Sequence, residues 1–366
     1  MKRRILTIWL SVTAMAVLCS SAPECTGGTW VTLDNPAAVS TYPHSIDGGR
    51  IVGSYVDASG GGHGFVYDGT TWTRLDAPAA TFTNACSIDW GKIVGWYEDT
   101  SGIHGFLYDG TNWTAFNAPE SLSTYAFGID GKNIAGYYLG GTVEQGFIYD
   151  GTNWTTLNKP GSLATHVCGI DGSNMVGSYK DTVGWHGFLF DGTSWTTLDA
   201  PFEGSITNPT AIDGRIIVGS YTNSSGVHGF VYDGTTWTSF DYPEMAWTCP
   251  LGVDGGRIVG YYADSSGVDH GFLYTLEGAV LPLLDTIDDV ADLNLHQGIS
   301  NSLSVKFATA LKIITDDNPK NDVAGINTLN AFINEVEAQR GKKILEADAD
   351  ILIAAAQQIM DLVSTE

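Results

Sequence analysis

HGFLYDGTNWTAFNAP, residues 104–119, decides the fold, because the chain repeats this stretch along most of its length. Close copies begin at residues 63, 145, 186 and 228. A further copy begins at His270 as HGFLYT and breaks off, and its missing half stands near the N-terminus as GTWVTLDNP, residues 28–36. The starts are 41 or 42 residues apart, so the chain carries an internal repeat that is circularly permuted at its ends.

Each repeat contains four short segments with the alternating, β-branched and aromatic composition of strands. In the second repeat they are ACSID, KIVGWYED, HGFLYD and WTAFNAP, separated by Gly, Asn, Asp or Ser residues that suit tight turns. A period of about 40–50 residues with four strands is typical of a β-propeller. The sequence therefore predicts a mainly β fold over residues 28–278, a six-bladed β-propeller with four-stranded blades. Its ring is closed because residues 30–36 supply the last strand of the sixth blade.

The composition changes after Gly278, where Gly becomes rare and Ala, Leu, Ile, Asp and Asn dominate. Apolar residues recur there at helical spacing. Asn318-Pro319 and Arg340-Gly341 mark breaks between helices. The sequence predicts a small all-α bundle of three or four helices at residues 284–364.

Two segments resemble known families. The motifs HGF[LV]YDG and ID-G-x-IVG, over roughly residues 28–276, resemble the HAF-type extracellular repeat proteins, with Gly in place of that family's middle Ala. The run INTLNAFINEVEAQRGKKI followed by ADILIAAAQQI resembles the FIMAH domain of secreted bacterial proteins. The first resemblance implies an exported propeller-like domain without an established activity, and the second implies an accessory module rather than a catalytic one.

The N-terminus and the charge predict where the protein works. Three basic residues, an apolar run at 5–19 and the small residues Ser20-Ser21-Ala22 predict a signal peptide over residues 1–22. A second hydrophobic segment is missing from the sequence, so we expect a mature chain that is secreted, either extracellular or periplasmic, without membrane insertion. The formal net charge of −24 repels nucleic acid and anionic membranes, so we expect neither as a partner.

The cysteines predict little chemistry. Cys19 leaves with the signal peptide, and Cys86 and Cys168 stand in the same phase of two repeats, too far apart for a bridge. We expect these two to be buried small hydrophobes. A disulfide between Cys25 and Cys249 that closes the ring stays open as an alternative.

Repeated histidines and aspartates predict scaffold rather than a metal site. Five histidines in one phase form a ring too wide for metal ligation, and we expect His63 to bond to Asp68 and Trp72. Four of the loops between the second and third strands hold an aspartate that calcium would favour, a weak alternative because aspartate is also a turn residue. These aspartates are Asp57, Asp99, Asp181 and Asp264. We predict no cofactor.

A ligand-binding site is expected at positions that vary between repeats, because positions that are the same in every repeat indicate scaffold. The repeated threonines Thr41, Thr83, Thr124, Thr165, Thr207 and Thr248 indicate scaffold. Each is followed by a varied residue on the loop that we expect to line the central channel: Tyr42, Asn84, Tyr125, His166, Asn208 and Cys249. This mixed aromatic and amide ring suits sugar stacking and hydrogen bonding. Three tryptophans outside the regular phase add stacking surface: Trp90, Trp185 and Trp247.

These observations predict a secreted, non-catalytic binding protein whose ligand is a glycan or a cell-surface protein. Two alternatives stay open. One is an extracellular polysaccharide-degrading enzyme, a lyase or glycosidase that uses His166 and the tyrosines at the mouth. The other is a structural cell-surface component. The sequence has no Gly-x-Ser-x-Gly elbow, His-Glu-x-x-His motif or phosphate loop, and its scattered glutamates offer no evident glycosidase pair.

Overall fold

The structure is a computed structural model. It describes residues 28–202, 206–245 and 247–276, and in the C-terminal part 302–303, 305–306, 309–310, 322–344, 349, 352–353, 356–357 and 360. The predicted signal peptide at 1–22, Cys25 and much of the predicted helical region at 284–364 lie outside these residues.

The described chain is mainly β between Gly28 and Leu276. In chain order the strands are β1 (Gly28–Thr32), β2 (Ala38–Asp47), β3 (Arg50–Asp57), β4 (Gly62–Tyr67), β5 (Trp72–Leu75), β6 (Phe82–Asp89), β7 (Lys92–Asp99), β8 (Gly102–Tyr108), β9 (Trp113–Phe116), β10 (Ser123–Asp130), β11 (Asn133–Gly140), β12 (Val143–Tyr149), β13 (Trp154–Thr156), β14 (Ala164–Asp171), β15 (Asn174–Lys180), β16 (Trp185–Phe190), β17 (Trp195–Leu198), β18 (Ile206–Asp213), β19 (Ile216–Asn223), β20 (Gly226–Tyr232), β21 (Trp237–Phe240), β22 (Thr248–Asp254), β23 (Arg257–Ala263) and β24 (Asp269–Leu276).

The strands pair antiparallel in groups of four, and we call each group a unit. Units 1 to 5 take consecutive strands, β2–β5, β6–β9, β10–β13, β14–β17 and β18–β21. Unit 6 combines β22, β23 and β24 with β1, and Trp30 lies opposite Tyr274 in that last pairing. The predicted pairing of the N-terminal strand with the end of the repeat region is thereby confirmed, although β1 spans Gly28–Thr32 rather than 30–36.

A glycine and a phenylalanine explain why the repeated motifs IVG and HGF fold together. In unit 2 the ring of Phe106 packs over Gly95, where an added Cβ would lie 1.9 Å from the carbonyl oxygen of Asn84. Only glycine fits, because the first two strands approach each other too closely for any side chain. Phe106 is buried in a cluster that also contains Val52 and Leu75 of unit 1, so this hydrophobic core lies between neighbouring units.

The tight turns between first and second strands also link the units. Asp89, which ends the first strand of unit 2, accepts the backbone N–H of Gly131 in unit 3 at 2.7 Å. The same bond recurs from unit to unit and continues from Asp254 of unit 6 back to Gly48 of unit 1. These repeated aspartates therefore connect each unit to the next.

Each unit has two ends that differ in chemistry. We call the end with these turns the hairpin end; it contains residues 47–50, 89–92, 130–133, 171–174, 213–216 and 254–257. The opposite end is the mouth end, where the first and third strands of each unit begin.

In the C-terminal part, α1 spans Asp322–Gln339. It ends where the sequence predicted a break, since Gly341 has the positive φ of 65° that favours glycine after a helix. Its residues Leu329, Phe332 and Val336 pack in one buried core with residues before and after the helix, including Leu303 and Leu352. The other described residues at 302–310 and 349–360 are helical too, but their helix bounds lie outside the described residues.

Candidate ligand-binding site

A cavity of about 100 Å³ lies between the first strands of the units. Three successive residues from each first strand line it: His44–Ile46, Cys86–Ile88, Phe127–Ile129, Cys168–Ile170, Thr210–Ile212 and Leu251–Val253. The pairing with the second strand shifts at this point, as between Ala126 and Gly128. Such a bulge places an extra side chain on the cavity side of each strand.

The predicted ring of varied residues lies next to this cavity rather than on its wall. Tyr125, for example, precedes the lining residue Phe127 by two positions and pairs with Tyr137 inside a strand. The expectation of a loop that lines the channel was therefore wrong, because the scaffold threonine before each varied residue is already paired with the second strand, as Thr124 is with Tyr138. The six varied positions instead form the mouth-end rim of the cavity: Tyr42, Asn84, Tyr125, His166, Asn208 and Cys249.

Three predicted residues meet in an aromatic array across units 3 and 4. The Tyr137 ring stacks on Tyr125, with centroids 4.8 Å apart, and on His166 at 3.9 Å. Trp185 lies 4.9 Å from His166 on the other side. Each such ring pair contributes about 0.5–1.5 kcal/mol beyond the area it buries, so the array holds neighbouring units together while its half-buried rings stay accessible at the mouth.

The array continues into unit 2 through residues that the sequence analysis missed. Trp96 packs edge-on against Tyr125 at 5.4 Å and stacks on Phe82 at 5.2 Å. Trp96 and Tyr137 occupy the position after the repeated second-strand glycine, where other repeats have Ser or Tyr. That variation was a signal in the sequence, but only the cross-strand register places it beside the rim. We call the whole set the aromatic wall: Phe82, Trp96, Tyr125, Tyr137, His166 and Trp185.

Units 5, 6 and 1 complete the mouth with smaller or more polar side chains. The Tyr42 hydroxyl donates a hydrogen bond to Asp269 at 2.7 Å, and the Tyr42 ring packs edge-on against Tyr261 at 5.1 Å. Tyr261 also interacts with Cys249 and with Trp247, which is exposed. In unit 5 the rim residue Asn208 pairs with Ser220. The mouth is therefore asymmetric, because aromatic rings stand in the other five units and smaller side chains stand in unit 5.

Burial sets the charge of the groups at the mouth. Burial lowers the pKa of His166, which its contact with Glu144 only partly offsets, so the imidazole is neutral at neutral pH. Its Nε2 atom lies 2.8 Å from a carboxylate oxygen of Glu144. Burial also raises the pKa of Tyr137 and Tyr42. Lys180, with its Nζ 5.8 Å from the ring centre of Trp185, is the cation beside the aromatic wall.

Trp90 does not join the other predicted residues. It lies in the hairpin-end turn after β6, six positions beyond the rim residue Asn84, with an unusual positive φ of 46°. Six residues of strand span about 20 Å, so Trp90 and Asn84 are at opposite ends of the unit. Trp90 was predicted from its irregular phase in the sequence, which does not show which end of a strand a turn occupies.

Two thiols and an imidazole face the cavity. Burial raises the pKa of Cys168 to about 12 and also raises that of Cys86, so both are neutral thiols. Both are free, which confirms that they do not form a bridge. Burial lowers the pKa of His44 to about 4. Cys249 is also free, and its suggested partner Cys25 lies outside the described residues.

The repeated threonines are scaffold, as predicted. Each buried hydroxyl accepts a backbone N–H from the segment that enters its unit, as Thr124 does from Ala118 at 2.9 Å. The bond recurs with Thr41, Thr83, Thr165, Thr207 and Thr248.

The repeated histidines are also scaffold, but the predicted partners of His63 were wrong. Its Nδ1 lies 3.1 Å from Asp76 and its Nε2 lies 3.2 Å from Asp57. Asp68 instead accepts backbone N–H groups of its own turn, and Trp72 packs on Phe65. Asp76 follows the fourth strand, so the contact depends on strand pairing that sequence proximity does not indicate.

Turn chemistry accounts for the loop aspartates that calcium would have favoured. Asp57 accepts backbone N–H groups of Ser59 and Gly61. Asp99, Asp181 and Asp264 make equivalent turn bonds. In the part of the chain that the structure describes, His, Cys, Asp and Glu residues form no group of three or more suited to a metal ion.

Exposed hydrophobic side chains concentrate at the mouth end. Leu122 is 66% exposed and Val183 is 86% exposed. Eight of the ten large hydrophobic residues exposed between positions 28 and 276 start a first or third strand or precede one at this end: Val39, Leu122, Val143, Leu163, Val183, Ile206, Trp247 and Val268. We call the seven aliphatic residues of this set, all except Trp247, the aliphatic rim. Among the described residues, no helix combines the length and the apolar character needed to cross a membrane.

No family model matches the sequence, and no curated protein matches it. Solved structures give weak likenesses. A mutant Aleuria aurantia lectin in complex with α-methyl-L-fucoside is 14% identical, with 70% of this chain and 96% of that chain covered and a TM-score of 0.44. The β-propeller domain of the Trilobed protease from Pyrococcus furiosus is 10% identical, with 65% and 81% covered and a TM-score of 0.46. Acylaminoacyl peptidase from Pyrococcus horikoshii is 11% identical, with 67% and 46% covered and a TM-score of 0.42. Likenesses this weak carry no argument about a ligand.

Proposed function

We propose that this chain is a secreted, non-catalytic binding protein that holds a glycan at the mouth of a closed six-bladed β-propeller. The aromatic wall is the observation that carries the proposal. Its half-buried rings offer apolar surface to the C–H faces of a sugar, and Asn84, Glu144 and Lys180 stand beside it for hydroxyl groups. Apolar surface with a few placed polar groups is the usual composition of a small-ligand site.

The architecture in this proposal rests on contacts between units. All six units contribute their first strands to one cavity, and the turn bonds return from Asp254 to Gly48. These contacts support six blades in a closed ring. The shared core around α1 supports a small helical bundle at the C-terminus. The resemblances to HAF-type repeats and to the FIMAH domain stay predictions, as does export through residues 1–22.

The charges at the mouth favour binding over sugar breakdown. Glu144 is engaged by His166 and Asp269 by Tyr42, so each carboxylate already has a partner that holds it. A lyase acting on acidic sugars needs cations to hold the carboxylate, and among the described residues the ammonium group that lies over a ring of the aromatic wall is that of Lys180. The enzyme alternative would place general acid–base chemistry on His166 and Glu144.

A protein partner is the second candidate, and the aliphatic rim favours it. Exposed apolar surface commonly marks a protein interaction site when it is concentrated in one area, and the rim residues all lie at the mouth end. A protein ligand would cover the rim, whereas a sugar would contact the aromatic wall inside it. Variants of the two sets therefore separate the candidates.

A glycan array with the purified full chain tests the proposal. We expect reproducible binding that the double variant Tyr125→Ala/His166→Ala weakens at least about tenfold and that Trp90→Ala, at the hairpin end, retains. Binding that survives both Tyr42→Ala and Tyr125→Ala would remove the mouth site. Release of shorter sugars from the bound glycan would favour the enzyme, and a blank array would favour a protein partner or a structural role.

A further inference from the structure

Four buried side-chain polar atoms among the described residues have no hydrogen-bond partner, and Oδ1 of Asp76 and Nε2 of His186 are two of them, in units 1 and 4. The other two belong to one cross-strand pair of unit 2. They are the side-chain oxygen Oδ1 of Asn84 and the indole nitrogen Nε1 of Trp96. Buried polar groups are almost always paired, and an unpaired one costs about 1–3 kcal/mol. The two residues lie directly opposite each other in the pairing of β6 with β7, so an unpaired acceptor and an unpaired donor stand on one cross-strand pair.

We infer that Asn84 and Trp96 together bind one hydroxyl group of a neutral sugar, which makes unit 2 the part of the mouth that selects the ligand. This inference rests on the proposed glycan-binding function. A hydroxyl is the group that satisfies both atoms at once, because it donates to the Asn84 oxygen while it accepts from the Trp96 N–H. Both atoms are covered, so the hydroxyl reaches them after a small shift of the half-buried rings around them.

The position of the pair supports recognition rather than scaffold. Each repeat has a residue pair at this place, and the other pairs are Tyr42–Ser54, Tyr125–Tyr137, His166–Ser178, Asn208–Ser220 and Cys249–Tyr261. Only unit 2, among the described pairs, combines an unpaired acceptor with an unpaired donor. Because a ligand rarely has the symmetry of the repeat, a feature confined to one unit fits a contact with the ligand.

The charge at the mouth selects a neutral ligand. Glu98, two residues after Trp96 on the same strand, is exposed. Glu144 and Asp269 add further carboxylates, and they act on the neighbouring tyrosines. Lys180 alone beside the wall does not balance them, so a uronic acid or sulfated sugar would be repelled.

The test uses ¹⁵N-tryptophan-labelled full chain and four probes: cellohexaose, mannohexaose, xylohexaose and hexagalacturonate. At least one neutral probe should shift the Trp96 indole resonance, which the Trp96→Phe variant assigns. Asn84→Leu and Trp96→Phe should each weaken binding of that probe about tenfold, the effect of one lost hydrogen bond with its partner left buried. Trp113→Phe, which removes an indole from the fourth strand of the same unit, should leave binding unchanged.

Stability separates this role from a structural one. Asn84→Leu removes an unpaired buried oxygen, so its melting temperature should equal or exceed that of the wild type while binding weakens. A lower melting temperature with unchanged binding would show that a buried water satisfies the pair, which overturns the inference.

The remaining outcomes distinguish the inference from the proposed function. Neutral binding that is lost in Tyr125→Ala/His166→Ala but kept in Asn84→Leu and Trp96→Phe overturns the inference and leaves the mouth site. Binding of hexagalacturonate alone overturns the neutral ligand class. No binding of any probe, together with a blank array, overturns the proposed glycan function and the inference with it.

Discussion

The mouth end and the hairpin end of the repeat region are built from the same strands but follow opposite rules. At the hairpin end every unit repeats the same aspartate, and its carboxylate bonds to the next unit. At the mouth end the rim positions of the first strands vary from unit to unit, and the aromatic wall and the aliphatic rim lie at this end. The difference teaches that repetition marks the contacts that hold the units together, while variation marks the surface that we propose binds the ligand.

The cations show the same division. Five of the eight Lys and Arg residues between positions 28 and 276 lie in hairpin-end turns: Arg50, Lys92, Lys132, Arg215 and Arg257. They act as counter-ions there, since Arg257 and Arg50 lower the pKa of Asp47 against the burial that raises it. The cations of this acidic protein are therefore explained by its scaffold, and the hairpin end needs no anionic ligand to account for them.

The largest expected effect separates core from mouth. Phe106→Ala removes a fully buried ring and should lower the free energy of unfolding by about 3–5 kcal/mol. Tyr125→Ala, whose ring is half-buried, should cost much less stability and should weaken ligand binding instead. Urea denaturation of both variants measures this contrast. A larger loss of unfolding free energy for Tyr125→Ala than for Phe106→Ala would contradict the prediction.

The next effect concerns the repeated threonines. Thr124→Val leaves the backbone N–H of Ala118 buried without its acceptor, so we expect a loss of about 1–3 kcal/mol of unfolding free energy. Thr114→Val, an exposed strand position in the preceding unit, is the matched control and should be nearly neutral. Equal stability of the two variants would remove the scaffold role of the threonine.

A third prediction uses pH at the hairpin end. Burial raises the pKa of Asp89 from 3.8 to about 6. The folded state therefore binds this proton more tightly than the unfolded state, and the contribution of Asp89 to stability is greatest below pH 3.8 and declines as the pH rises to about 6. Asp89→Asn should show no such decline, so its stability relative to the wild type should increase between pH 4 and pH 6 by no more than about 3 kcal/mol.

The exposed turn aspartate Asp109 provides the control of opposite sign. Hydrogen bonds from the backbone and side chain of Asn112 lower its pKa, so its contribution is present above pH 3.8 and is lost as the pH falls through the lowered value. Denaturation curves from pH 3 to pH 7 for both Asn variants measure this. If the free energy of unfolding of Asp89→Asn instead falls relative to the wild type as the pH rises from 4 to 6, the prediction is contradicted.

The smallest effect is at the joint of β1 and β24. Burial lowers the pKa of His270, but contacts with Asp34 and Asp264 outweigh it and raise the value above 6.5. The pairs thus stabilise the fold below pH 6.5 and cease to do so as the pH rises through the raised value. The partners are partly exposed, so we expect less than about 1 kcal/mol. His270→Gln keeps a polar side chain without the charge and should remove this dependence in thermal melts, and a melt with the wild-type pH profile would argue against it.

Much of the strand region could be predicted because its signals are local. The period of the repeat, the turn residues and the broken sixth copy indicated four strands per unit and the pairing of β1 with β24. The glycine of IVG was recognised as part of the motif. The reason that this position requires glycine is the close approach of Gly95 to Asn84, which depends on strand pairing that the sequence does not reveal.

The candidate site was predicted only in part because it depends on register. Tyr125, His166 and Trp185 were named and the structure brings them together. Trp96 was missed because it becomes a neighbour of the rim only through the pairing of two strands. Trp90 was named from its irregular phase and lies at the other end. Comparison of the repeats identified the residues that vary, and the pairing of the strands determines which of these residues are in contact.

The most direct test compares the dissociation constants of the strongest array ligand for variants of the two ends. Tyr125→Ala/His166→Ala changes the mouth end, and Trp90→Ala/Lys92→Ala changes the hairpin end by a similar loss of aromatic and polar surface. The account predicts at least about tenfold weaker binding for the mouth variant, or about 1.4 kcal/mol, and an unchanged constant for the hairpin variant. Weaker binding in the hairpin variant alone would contradict the claim that variation between the repeats marks the binding end.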